Sequence, residues 1–210
     1  MGSTRTSACL EANHCAETRG SSFGGILRNF IRQHSYKRGG VFPPMSASRT
    51  VVDTNTHTVT YVTDKILLSV KEIILASGLD PRKMARSWVA LESGVSVWLR
   101  SEHLQRITLE IFNPKTDDLV CRWDLEIIYS YGGDGSLWAD TDAIRYNIKK
   151  AGLIASTCDY SISVQNKANA PKVDGWSTTT LRATTGLSRY SIGTSIGGNG
   201  LAAGISYWGQ

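Results

Sequence analysis

Apolar residues in the first half of the chain recur three or four positions apart. In TYVTDKILLSVKEIILASGLD they are Val62, Ile66, Val70, Ile73 and Ile74, which predicts a helix with Gly78 as its terminating residue. Its apolar face is broad, as expected of a central helix. Upstream, RTVVDTNTHTV is rich in β-branched residues and predicts a strand from Thr50. Downstream, DPRKMARSWVALESGVSVWLRSEH opens with Asp80 as an N-cap and Pro81 at the first helical position. Met84, Trp88, Leu91, Val95 and Trp98 then follow at steps of four, three, four and three, one stripe of a second helix. Gly94 should weaken it locally.

The period then changes to two. In QRITLEIFNP, Ile107, Leu109 and Ile111 alternate with Thr108 and Glu110. After a turn over 113–118, Cys121, Trp123, Leu125 and Ile127 alternate with Arg122, Asp124 and Glu126. This is an antiparallel hairpin with one covered and one wetter face. A glycine-rich loop leads to a third helix, capped by Asp140 or Thr141, burying Ile144 and Ile148 and ending at Gly152. Lys149 and Lys150 suit its negative C-terminal end. Tyr160, Ile162 and Val164 alternate on one more strand. Beyond Pro171 no regular element is expected. Residues 173–210 hold glycine, serine and threonine, yet Ile192, Ile196, Leu201, Ile205, Tyr207 and Trp208 are interleaved. Such a tail gains by docking, but its glycines commit it to no single course. The sequence thus predicts an α+β fold: three helices on one face of a mainly antiparallel sheet.

Composition divides the chain. Of the 210 residues, 1–44 carry six basic and two acidic side chains, three of the four phenylalanines and no tryptophan. That leaves the body with a net charge of only +1 out of +5, and no basic stripe to suggest nucleic acid. Residues 1–44 read as a mostly disordered extension with few contacts to the body, and 45–210 as the domain, with Met45 a possible alternative start. No apolar run approaches the roughly 18 residues of a membrane span, and no secretory signal is evident, so a cytoplasmic setting is expected.

Candidate chemistry is sparse. Cys9, His14 and Cys15 lie close together, but a zinc site needs four ligands in two spaced pairs. Cys121 and Cys158 fall on expected strands, as small apolar side chains. GSLWADTD resembles the Gly-Ser turn and paired aspartates of polymerase-β-type nucleotidyltransferases, but the spacing is wrong, and Asp140 and Asp142 open a helix. No cofactor, metal or catalytic residue is expected.

Three long segments carry a resemblance: HTVTYVTDKILLSVKEIILASGLDP, RWDLEIIYSYGGDGSLWADTDAIRYNIKKAGL, and VDGWS with a tail ending in YW. They resemble bacterial HORMA-domain proteins, more narrowly those encoded beside cGAS-like nucleotidyltransferases in anti-phage CBASS operons. The resemblance spans about 56–210, and residues 1–44 lie outside it. It implies that 173–210 is a safety belt that wraps a closure-type partner peptide against the sheet. It implies a non-catalytic switch that binds and activates the nucleotidyltransferase when closed, and that a AAA+ ATPase reopens by an N-terminal handle around Met45, Val51, Val52 and His57. By element, the peptide groove falls to Tyr160, Ile162 and Val164 on the last strand and to Trp176, Leu181, Leu187, Tyr190 and Trp208 in the belt. Two other readings stay open: a metal-dependent nucleotide-processing enzyme using the Asp134–Asp142 loop, and a scaffold that never switches. In one variant the extension is a peptide ligand for a neighbouring copy's belt.

Overall fold

The computed structural model of the chain describes residues 7–10 and 54–210, positions 133 and 153 excepted. A short strand β1 (Ser7–Leu10) is followed by helices α1 (Thr54–Ala76), α2 (Arg82–Arg86) and α3 (Trp88–Arg100), then strands β2 (Leu104–Phe112), β3 (Leu119–Tyr131) and β4 (Trp138–Ala139). Helix α4 (Thr141–Ala151), strand β5 (Asp159–Asn166), strand β6 (Trp176–Thr179) and the pair β7 (Ser188–Gly198) and β8 (Gly200–Gly209) complete it. All eight strands form one sheet in the order β4-β7-β8-β3-β2-β5-β1-β6, and each pairing is antiparallel. The α+β expectation holds.

Helix α1 is the spine of the core. Val59, Val62, Ile66, Leu67, Val70, Ile73 and Ile74 are all buried. They join Ile107, Leu109, Ile111, Trp123, Leu125 and Ile205 from one face of the sheet. The register explains that face: Leu109 lies opposite Trp123 and Ile162, and Ile107 opposite Leu125 and Val164. The opposite face is polar but largely closed to water: Thr108, Glu110, Arg122, Asp124, Ser163 and Ser206 are buried there. The expected wetter face therefore exists only in composition.

Helix α4 follows its sequence closely. The Asp140 carboxylate accepts the Ala143 N–H at 2.9 Å, Ile144 and Ile148 are buried, and Gly152 ends it at φ 84°.

Four expectations need correction. Thr54–Val59 belongs to α1 rather than to a strand; positions 50–53 lie outside the described residues. The second helix is two helices, making four in all among the described residues, because α2 is tied to β5. The Tyr160 hydroxyl accepts the Met84 N–H at 2.9 Å and donates to the Asp80 carbonyl at 3.1 Å. Lys83 Nζ meets the Asp159 carboxylate at 2.9 Å and the Tyr160 carbonyl at 2.7 Å. The tail is regular, with β6, β7 and β8 in it. Lastly, Ser7–Leu10 pairs within the sheet, against the expectation of few contacts for residues 1–44; the rest of that segment lies outside the described residues.

Candidate functional site

The far edge of the sheet is a slot the width of one strand. β5 forms one wall and β6 the other, and β1 runs between them. Ala8 lies opposite Val164 of β5 and Thr178 of β6; Cys9 lies opposite Ser163 and Ser177. A strand with partners on both sides places every main-chain N–H and C=O within reach of a ladder. Among the described residues β6 pairs with β1 alone. The outer wall therefore reaches the sheet through whatever strand fills the slot.

Two side chains hold the outer wall in place. The first is Trp176. Its Nε1 donates to the Ala90 carbonyl of α3 at 3.2 Å, and its ring meets Trp98 edge-on with centroids 5.0 Å apart. Trp98 Nε1 in turn donates to the Pro171 carbonyl at 2.7 Å, fixing the chain just before β6. Gly94 makes this possible: a Cβ there would stand 2.6 Å from Trp176 Nε1. The glycine expected to weaken α3 is the floor of the tryptophan's seat.

The second is Arg182, where the chain leaves β6 to cross toward β7. Its backbone N–H donates to Glu110 Oε1 at 2.8 Å and its Nη1 to Oε2 at 3.0 Å. Its Nη2 reaches Asp117 at 2.7 Å, and its guanidinium stacks 3.5 Å from the Phe112 ring centroid. Glu110 is buried. Burial pushes its pKa up from the usual 4.5, while the Arg182 N–H and guanidinium pull the other way. Arg182 is the one charged residue between Gly175 and Ser188, and that isolation was a legible signal.

Past the crossing the chain docks differently. β8 pairs with β3 along nearly its whole length, from Trp208 opposite Arg122 to Leu201 opposite Tyr129. Tyr207 is sandwiched between Trp123 and Tyr190, both rings 4.9 Å away. On the polar face, Arg122 grips Asp124 through Nε at 2.9 Å and Nη2 at 3.0 Å. Thr108 and Trp208 Nε1 donate to the same carboxylate at 2.8 and 3.0 Å. Burial works to raise the Asp124 pKa, but Arg122 and these donors outweigh it and hold the group below its usual 3.8. The hairpin turn is Asn199–Gly200, with Gly198 opposite Leu201 and Gly200 at φ 75°. An Asn-Gly pair between apolar runs is a strong hairpin signal that the sequence reading passed over.

The expected peptide-groove residues thus divide. Val164 and Trp176 line the slot's register, and Ile162 is one position beyond the last β1–β5 pair. Tyr160 faces the helices, its hydroxyl spent on α2. Leu181 and Leu187 are half-buried at the two ends of the crossing. Tyr190 and Trp208 sit on the hairpin, and β8 is four strand spacings from β1, about 19 Å. The structure does not bring Trp208 to the slot. Gly94, Glu110 and Arg182, which it does bring to β6 and the crossing after it, were not among the expected groove residues.

The remaining candidates are soon placed. The Asp134 carboxylate accepts from the Ser136 N–H and hydroxyl at 2.9 and 2.6 Å, and Asp140 caps α4. Among the described residues no three His, Cys, Asp or Glu side chains cluster as a metal site. Cys121 is buried, its thiol pushed up to about 11. His57 is exposed in the first turn of α1; Met45, Val51, Val52, His14 and Cys15 lie outside the described residues. No described helix is long and apolar enough to cross a membrane.

An antiparallel sheet whose C-terminal strands divide between its two ends, packed against a three-helix layer with a short fourth helix, has the HORMA fold. The chain belongs to the bacterial HORMA domain 2 family, whose model matches residues 46–210. Similar solved structures include a chain of the mitotic checkpoint complex, at 11% identity and TM-score 0.63, covering 72% of this chain and 98% of that one. C. elegans HTP-1 bound to the HIM-3 closure motif is 13% identical with TM-score 0.57, covering 78% and 94%. HTP-2 bound to HTP-3 motif-6 is 13% identical with TM-score 0.50, covering 72% and 87%. At these identities the likeness is one of fold. No curated protein matches the chain in sequence.

Proposed function

We propose that this domain captures an extended partner peptide as a strand between β5 and β6, and that the belt closes over it. The observation that carries the reading is the β5-β1-β6 order, in which a four-residue strand holds a ladder on each side. Each main-chain hydrogen bond is worth about 0.5–1.5 kcal/mol net, so a short peptide gains most of its affinity from backbone and its specificity from alternate pockets. Arg182 and Trp176 hold the outer wall once it is in place. The peptide-bound closed form binds and activates a cGAS-like nucleotidyltransferase of an anti-phage signalling operon, and a AAA+ ATPase reopens it from the segment around Met45–His57. No residue is assigned a catalytic role. The protein acts in the cytoplasm.

Calorimetric titration of peptides selected from a display library tests the capture step, with and without the nucleotidyltransferase. A coupled switch requires each ligand to tighten the other by the same factor, typically about 5- to 150-fold. Equal partner affinity with and without peptide would leave a non-switching scaffold. Metal-dependent nucleotide turnover by the lone protein would favour the enzyme reading.

A further inference from the structure

We infer that the slot's resident ligand is this chain's own Ser7–Leu10, seated in cis as a tethered occupant that an incoming peptide must displace. The inference rests on the peptide-capture reading and adds to it what fills the slot before a partner arrives. Three observations carry it. First, β1 pairs on both sides, with Ser7 opposite Gln165 and Thr179 and Cys9 opposite Ser163 and Ser177. Second, β6 has no other strand partner among the described residues, so the outer wall's main-chain ladder to the sheet is made through β1, beside the seats of Trp176 and Arg182. Third, the 43 residues between Leu10 and Thr54 are tether enough. At full extension they would reach about 140 Å, far more than a domain's width. A tethered ligand presents itself at an effective concentration near the millimolar range. A free peptide at micromolar concentration therefore binds only if it is intrinsically tighter, or if the segment is withdrawn. Occupancy becomes a property of residues 1–53 as well as of the groove.

Proline at two adjacent positions removes one main-chain donor toward each neighbour, because successive residues of a central strand donate to opposite sides. The full-length Ala8→Pro/Cys9→Pro variant is compared with the wild type by hydrogen exchange. Those amides of 163–165 and 176–179 that face β1 should exchange at least 10-fold faster in the variant, while the amides of 163–165 that face β2 and those of α1 stay protected as evidence that the body is folded. Equal protection at 176–179 in the two proteins overturns the proposal. This readout needs no foreign peptide, so it stands apart from the capture reading. A fluorescein-labelled peptide of residues 1–12 should bind the variant at least 10-fold more tightly than the wild type. Equal binding, or none to either, overturns the proposal. A library-selected peptide that binds both proteins equally would keep the capture reading and sink this one. Protection that grows with protein concentration, alongside a dimer in sedimentation, would replace the cis arrangement with exchange between copies and so also overturn it.

Discussion

The C-terminal segment is fastened to the domain in two contrasting ways. The β7–β8 hairpin is locked: β8 lies directly on β3, Leu201, Ile205 and Tyr207 are buried, and Trp208 serves the buried Asp124. β6 is latched: four residues long, it pairs with β1 alone among the described strands and holds on through that ladder, Trp176 and the nearby Arg182. A ladder with a buried apolar face dissociates only when the domain itself loosens. A strand held by a ladder to one short strand, one aromatic seat and the two ion pairs of Arg182 can detach while the core stays intact, as a low-stability local unit. On the peptide-capture proposal, the part that opens is the latched half, and the locked half stays with the sheet. That is narrower than the whole of 173–210, the belt the sequence suggested.

Cutting into the locked half should cost most. Tyr207→Ala removes the middle ring of the Trp123–Tyr207–Tyr190 stack, and truncating a buried aromatic costs about 4 kcal/mol. Urea denaturation should show that loss as a lower midpoint for the whole domain. A melt in which only 173–187 becomes exchange-competent would mean the two halves are assigned the wrong way round.

Arg182→Ala comes next. It takes the guanidinium from the buried Glu110 carboxylate and leaves it the residue-182 N–H alone, for a cost of about 3 kcal/mol, the low end for such a loss. Here the effect should be local. Exchange should accelerate over 177–187, and a captured peptide should dissociate at least 10-fold faster, while β8 stays protected. Adding Glu110→Gln should restore part of the loss, since the stranded charge is gone.

Gly94→Ala is smaller in stability yet sharper in meaning. The new Cβ intrudes on Trp176 Nε1 at 2.6 Å and on the Trp98 ring at 2.9 Å. Overpacking costs about 1–3 kcal/mol, against about 1 kcal/mol gained by α3 on losing a glycine. The melting point should barely move while belt closure weakens. An unchanged peptide off-rate would show that Trp176 is not a latch.

The least effect is expected in pH dependence, with opposite signs in the two halves. Asp124 has a lowered pKa in the fold, so its contribution is present above its usual 3.8 and fades as pH falls through the lower folded value. Glu110 has a raised pKa, so its contribution is fully present below its usual 4.5 and declines as pH rises through the higher folded value. Stability of the wild type relative to Glu110→Gln should therefore fall as pH rises from 4.5 upward, and relative to Asp124→Asn should fall as pH drops below 3.8. Parallel profiles would refute the assignment of distinct environments.

Some of this was written plainly in the chain. The α1 stripe, the β2–β3 alternation and the capped α4 each depend on residues a few positions apart, where period and capping chemistry are decisive. The glycine-rich strands β7 and β8 were hidden because their glycines do different things: Gly197 and Gly198 lie under Trp138 and Leu137, 2.7 Å from where a Cβ would stand, while Gly193 and Gly200 take positive φ with no neighbour there. Pattern alone cannot tell a glycine that frees the chain from one that admits a neighbour.

By itself the sequence determined the α+β class, the core faces and the family to which 46–210 belongs, because these rest on local periodicity and on long collinear segments. Only the tertiary structure decided that Gly94 seats Trp176, that Arg182 is the latch on Glu110, and that Ser7–Leu10 fills the slot. Each of those pairs residues more than 70 positions apart, and a four-residue segment has too little local signal to become a strand without the ladders that distant strands supply.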